Sequence, residues 1–196
     1  VEIPSIYLYT ISNMKIMIAS DIHGSAYYAR KMFDAYSEER AERLVLLGDL
    51  LYHGPRNDLP KEYAPKEVIT LLNSHSEDVL CVRGNCEAEV DQMVLTFPVM
   101  ADYSVMFLPE LDGRMIFITH GHVFNENKLP PFRKGDILLH GHTHMPVTEN
   151  RGDYILLNPG SVSLPKGGFA PSYMMYEERC FAIKDFEGNT IMELIL

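Results

Sequence analysis

Residues 14–25 read MKIMIASDIHGS, and this stretch decides the fold: an apolar run, Lys15 to Ser20, stops abruptly at the polar residues Asp21 and His23. A short apolar run bounded by polar and turn residues is the pattern of a strand buried on both faces. The pattern recurs at Arg43 to Leu47, Val79 to Arg83, Met115 to Thr119, Ile137 to Leu139 and Tyr154 to Leu157. Between the early runs, apolar residues fall at helical spacing in three places: Ala29, Met32, Phe33 and Tyr36; Val68, Leu71, Leu72 and His75; and Val90, Met93, Val94 and Phe97. Such spacing lines one face of a helix, so the first half reads strand, helix, strand. Pro65 suits the first position of the second helix, where its missing amide would be unpaired anyway. After Asp112 the helical periodicity fades, and turns such as Asp112-Gly113, Arg151-Gly152 and Glu187-Gly188 join further strands. Two sheets packed together with helices outside is the economical architecture.

The bulk numbers bound the functions this chain can have. Its 196 residues and 46% hydrophobic content suit one compact domain, assigned to residues 14–196. Residues 1–13 stand apart, because Met14 opens the first motif-bearing strand; they read either as an upstream extension or as an added edge strand. Cys81, Cys86 and Cys180 are too few and too scattered for a secreted disulfide scaffold, which points to a reducing cytoplasm. A net charge of -10 repels long polyanions, so bulk nucleic acid is excluded as a partner. No apolar run approaches the roughly 20 residues that span a bilayer, which excludes a membrane partner. Homo-oligomerisation stays open.

The strand ends carry the chemistry. After the first run stands Asp21-Ile22-His23, after the second Gly48-Asp49, after the third Gly84-Asn85, then Thr119-His120-Gly121-His122, and last His140-Gly141-His142-Thr143-His144. Open sheets place ligands at this carboxyl edge. Each motif alone has a plain structural explanation, a helix cap or a tight turn. Together they supply Asp, Asn and His, the donors that suit manganese, iron and zinc. If His142-Thr143-His144 stays extended, its two imidazoles leave the chain on one side and reach adjacent metals.

The order D-x-H, G-D, G-N, H and G-H-x-H resembles the calcineurin-like metallophosphoesterase superfamily over Met14 to about Gly168. The stretches Ser20 to Ser25, Gly48 to Asn57, Arg83 to Met93 and Asn158 to Gly168 are similar to a bacterial phosphodiesterase branch of it. The resemblance implies an α/β (α+β) fold, a four-layer αββα sandwich of two mixed β-sheets flanked by helices. It implies two divalent metal ions, manganese first, with iron, zinc or nickel as alternatives. By the same resemblance Asp21, His23 and His144 hold one metal, Asn85, His120 and His142 the other, and Asp49 bridges them. Asp49, Asn85 and His120 then form the catalytic set, and a metal-bridging hydroxide hydrolyses a small phosphodiester without a covalent intermediate.

One departure matters. Many members follow Gly-Asn with a histidine that contacts the scissile phosphate, whereas this chain has Gly84-Asn85-Cys86-Glu87. A thiol with an ordinary pKa near 8.5 is a poor replacement for an imidazolium, so substrates with poor leaving groups suffer. His53 and Arg56, in the loop held by Gly54 and Pro55, are candidates to bind the substrate phosphate, Arg56 with the better geometry for it. Cys86 and His122 are placed beside the substrate, His140 beside the ligands, and His75 on a packed helical face. Asn158 to Ser161 read as a tight loop supporting the ligand strands. Competing readings are a broad phosphomonoesterase or nuclease on the same centre, and a non-catalytic scaffold like the retromer subunit that shares this fold.

Overall fold

Alternation along the strands sorts the apolar side chains into two cores, one on each face of the first sheet. The computed structural model describes residues 14–196, so the reading of residues 1–13 lies outside the described part. The elements run β1 (Ile16–Ala19), α1 (Ala26–Glu38), β2 (Arg43–Leu46), α2 (Pro65–Asn73), β3 (Val79–Cys81), α3 (Glu89–Gln92), β4 (Tyr103–Phe107), β5 (Met115–Thr119) and β6 (Ile137–Leu139). There follow β7 (Pro146–Asn150), β8 (Ile155–Pro159), β9 (Ser172–Glu177), β10 (Cys180–Asp185) and β11 (Thr190–Ile195). One sheet has the order β11-β10-β9-β1-β2-β3 and the other β4-β5-β6-β8-β7. Both are mixed: β1, β2 and β3 run parallel beside an antiparallel β9, and β5, β6 and β8 run parallel between antiparallel β4 and β7.

In β1, Met17 and Ala19 face the helices while Ile16 and Ile18 face the second sheet; Leu44 and Leu46 against Val45 and Leu47 repeat this at β2. Each such fully buried aliphatic side chain contributes about 1.5–3 kcal/mol, which is why β1 and β2 read as continuous apolar runs. The helix side is closed by Ala29, Met32 and Phe33 of α1 and by Val68 and Leu72 of α2. Ser25 caps α1 by accepting from the Tyr28 amide at 3.3 Å, and Pro65 opens α2. The outer face of the second sheet carries a smaller cluster, Phe117, Leu138 and Leu156, closed by Phe124 and Phe132 from a stretch without helix. No helix among the described residues is long and apolar enough to cross a membrane.

The third helical face is corrected by the structure. Only one turn, Glu89–Gln92, is helical, and Val90, Met93 and Val94 are 63%, 82% and 43% exposed, while Phe97 is buried. The reason is polar competition for the backbone. The Asn73 amide donates to the Val94 carbonyl and accepts from the Thr96 N–H; Gln92 donates to the Leu95 and Phe97 carbonyls and accepts from the Val99 N–H. These bonds satisfy backbone groups left over where the helix stops, short of Pro98, which has no N–H to continue it. His75 falls just past α2, stacked on Phe33 at 4.4 Å, a packed histidine as expected.

Parallel pairing places the site. The loops after β1, β2 and β3 leave one end of the first sheet, and those after β5 and β6 leave the second; backbone bonds join them. Asp21 N–H donates to the Gly48 carbonyl and Gly141 N–H to the His120 carbonyl. Gly48, at φ +96°, lies so close to the next loop that a Cβ would sit 2.3 Å from the Gly84 nitrogen, so only glycine lets these two loops meet.

Candidate metal centre

Five of the residues singled out at the strand ends adopt left-handed backbone: Asp21 (φ 58°), His23 (51°), Asp49 (55°), His142 (65°) and His144 (60°). That conformation costs a non-glycine residue roughly 1–2 kcal/mol, and Asp and His tolerate it better than most. Interlocking bonds hold it in place. His23 N–H donates to the Asp49 carbonyl at 2.9 Å, His142 N–H to Asp21 Oδ2 at 3.0 Å, and the Ser161 hydroxyl to the Asp21 carbonyl at 2.8 Å. The expected extended conformation at His142-Thr143-His144 is therefore corrected. A turn, not strand alternation, aims the two rings, and it sends them apart: His142 lies 5.0 Å from the His120 ring and His144 lies 5.1 Å from the His23 ring.

Each of three imidazoles spends its Nδ1 hydrogen on a carbonyl that can only accept: His23 on Tyr52 (2.8 Å), His144 on Leu164 (2.5 Å) and His120 on Leu47 (2.7 Å). In the neutral ring the opposite nitrogen, Nε2, is then a bare lone pair. The Nε2 atoms of His23 and His144 face each other at 3.3 Å, with Asp21 Oδ1 at 3.5 and 3.2 Å from them. That oxygen is buried and has no hydrogen-bond partner among the described residues. Beside this group, His120 Nε2 meets Asn85 Oδ1 at 3.1 Å, His142 Nδ1 at 3.2 Å and Asp49 Oδ2 at 3.5 Å. Asp49 Oδ2 is also 3.7 Å from His23 Nε2. Lone pairs converging in this way repel one another unless a proton or cation sits among them, so the donor set fits divalent metal. Asp21, His23 and His144 on one side, and Asp21, Asp49 and His120 on the other, have donor atoms near enough to share an ion.

Protons and cations compete for these donors. Burial works against charge on Asp21, yet His144 and His23 beside it hold its pKa well below the usual carboxylate range. Burial likewise disfavours a charged His120, but Asp49 and Asp21 draw a proton onto it and raise its pKa to about 9. His142, by contrast, is pushed down to about 4 by burial and by the charge on His120.

Behind the donors sits a residue that the sequence reading passed over. Glu87 is 4% exposed, and its carboxylate accepts from the Asp49 N–H (2.9 Å), the Leu50 N–H (2.7 Å) and the Gly84 N–H (2.5 Å). One side chain thus fastens the Asp49 loop to the Asn85 loop. Its position three residues past a Gly-Asn turn start was the available signal. Cys86 N–H holds Asp49 Oδ1 at 2.9 Å, which leaves Oδ2 to face the cluster. Burial and the Asp49 charge push the Cys86 thiol upward, so it stays protonated and donates to Asp49 Oδ2 at 3.3 Å.

A cleft of about 470 Å³ opens over the donors, with Arg56, Asn57, Cys86 and Lys166 on its walls. His53 is absent from that lining: its ring packs against Tyr52 and Tyr63 at 4.7 and 5.2 Å in T-shaped contacts. The His122 ring lies 5.4 Å from that of His120, and the residue does not line the cleft either. His140 is buried, with Nε2 3.4 Å from Glu126 and Nδ1 3.0 Å from the Gly141 carbonyl. Asn158 is fully buried and donates to the Gly141 carbonyl and the Thr143 hydroxyl, bracing the histidine turn.

Two mixed sheets with clustered Asp, Asn and His at their joined carboxyl ends define a metallophosphoesterase, and the chain belongs to the calcineurin-like phosphoesterase superfamily, whose domain matches residues 14–179. It is a homologue of phosphodiesterase YfcE of Escherichia coli K12, 46% identical over 91% of this chain and 96% of that one. The solved structure of that E. coli phosphoesterase superposes with a TM-score of 0.89 at 43% identity, covering 92% of this chain and 98% of the other. Vacuolar Protein Sorting 29 from Cryptosporidium parvum shares the fold alone: 16% identity, TM-score 0.60, 94% and 99% of the two chains.

Proposed function

We propose that this chain hydrolyses a small phosphodiester at a centre of two divalent metal ions. Asp21, His23 and His144 hold one ion, Asn85, His120 and His142 the other, and Asp49 is shared. The observation that carries the reading is the position of Asp49 Oδ2, 3.7 Å from His23 Nε2 and 3.5 Å from His120 Nε2. That oxygen lies near one nitrogen from each proposed ligand set, and a carboxylate offers the lone pairs and the charge that two cations need. When bound, the metals supply hydroxide near neutral pH and neutralise charge on the phosphoryl oxygens, manganese being the first choice and iron, zinc or nickel alternatives.

The chain's own residues do the positioning. Glu87 fixes the two loops that carry Asp49 and Asn85, and the Cys86 amide turns Asp49 toward the cluster. Arg56, at the cleft wall and without an acidic partner among the described residues, clamps a phosphoryl oxygen in this reading. The Cys86 thiol, held protonated, is a reluctant acid, so esters with poor leaving groups turn over slowly. Two dications, less two carboxylates and one hydroxide, leave about one net positive charge to meet a diester's single negative one. The net charge of -10 supports a small substrate over a long polyanion. Free Cys81, Cys86 and Cys180 support a reducing, cytoplasmic setting.

Bis(p-nitrophenyl) phosphate is expected to be hydrolysed with manganese present, faster than the matching monoester, and chelation should stop the reaction. No turnover with any of the four metals would sink the proposal and favour a scaffold. Arg56→Ala is expected to raise KM about tenfold at unchanged metal content; unaltered kinetics would remove Arg56 from the site.

A further inference from the structure

Basic side chains are outnumbered in this protein, 17 against 27 carboxylates, and nine of the 17 sit in ion pairs. Lys15, Arg30, Lys31, Arg43 and Arg179, for example, all sit in ion pairs. Lys166 does not. It is exposed on the wall of the metal cleft, with no acidic partner among the described residues. Arg56 lines the same cleft, equally unpaired.

The loop that carries Lys166 is fastened to the centre at two points. The Leu164 carbonyl accepts from His144 Nδ1 at 2.5 Å, and the Lys166 N–H donates to the His144 carbonyl at 3.0 Å. Two glycines in left-handed backbone, Gly167 (φ +67°) and Gly168 (φ +79°), then turn the chain away. The backbone of Lys166 is therefore set by a donor residue, and its exposed side chain lines the cleft. A cation held beside a polar cleft without a counter-charge contributes little to folding, and its natural complement is an anionic ligand.

Resting on the reading of this site as a diesterase, we propose that Lys166 forms a second anion subsite, and that the substrate is a small phosphodiester with further negative charge on one arm, a phosphate or a carboxylate. The balance of charge favours this class. The centre and Arg56 are assigned to the scissile phosphoryl group, and Lys166 adds a further positive charge on the cleft wall that a plain dialkyl ester leaves unanswered. An anionic arm answers it and gives the site a means to choose among diesters.

The test is a series of p-nitrophenyl alkyl phosphodiesters with one leaving group and an alkyl arm ending in hydroxyl, carboxylate or phosphate. The manganese-loaded protein should favour the charged arms over the hydroxyl arm by about tenfold in kcat/KM, one charge-assisted contact's worth. Lys166→Met should erase most of that preference. The three arms rank carboxylate against phosphate. Dissociation constants for the corresponding non-hydrolysable phosphonates, measured by calorimetry, should show the same preference and the same loss. A wild-type protein that ignores the arm's charge, or a Lys166→Met variant that keeps the preference, would overturn the subsite. If no diester is hydrolysed but the phosphonates still bind in a Lys166-dependent order, the diesterase reading falls and the subsite stands.

Discussion

Asp49→Asn should lower kcat/KM for a chromogenic diester by about three orders of magnitude or more, the scale of losing charge stabilisation at a two-metal centre. The substitution keeps the side chain's shape. Asp49 Oδ1 is bonded to the Cys86 N–H, so the amide oxygen of an asparagine takes that place and its NH₂ turns toward His23 and His120. A donor then stands where both donor sets need a lone pair, and one negative charge is gone. Bound metal, measured by elemental analysis of the purified protein, should fall below two per chain. Retention of two metals with activity within tenfold of wild type would show that Asp49 is not shared, and the dinuclear reading would fail with it.

The second large effect is expected at a residue outside the proposed ligand set that braces it through the backbone. Glu87→Ala leaves three buried backbone N–H groups, those of Asp49, Leu50 and Gly84, without an acceptor. At about 1–3 kcal/mol for each unsatisfied group, the loss is roughly 3–6 kcal/mol even if water repairs part of it. For a chain of this size that corresponds to a Tm lower by about 10 °C or more. Melting in chelator separates this from any loss of bound metal. Glu87→Gln, which keeps one acceptor oxygen but turns an NH₂ toward backbone donors, should fall between. Burial and the Asp49 charge raise the Glu87 pKa, against the Leu50 and Asp49 amides that lower it. The carboxylate is thus kept at some electrostatic expense, consistent with a bracing role. A Glu87→Ala protein that melts within about 3 °C of wild type would show that the loops do not depend on this bracket.

Much of this was legible in the residues. Apolar runs at Lys15 to Ser20 and Met115 to Thr119 declared buried strands because period-two burial on both faces leaves no polar positions. The strand-end motifs declared donors because few other reasons gather Asp, Asn and His there. The 89–97 segment misled for a local reason: its apolar spacing was helical, but the side chains of Asn73 and Gln92 took its backbone groups. No periodicity records such a competition. His53 looked as accessible as Arg56, three residues away, and only packing against Tyr52 and Tyr63 separates them.

The amino-acid sequence by itself determined the first three strands and the first two helices, the identity of the donor side chains and the order in which the chain presents them. These are local properties, set by hydrophobic period and side-chain chemistry. Tertiary structure alone decided which nitrogen of each histidine is bare, which oxygen of Asp49 lies between the two groups, and that Glu87 and Lys166 belong to the site. Those outcomes depend on carbonyls and amides brought together from loops 20 to 140 residues apart, and a hydrogen bond exists only where folding sets both partners within reach.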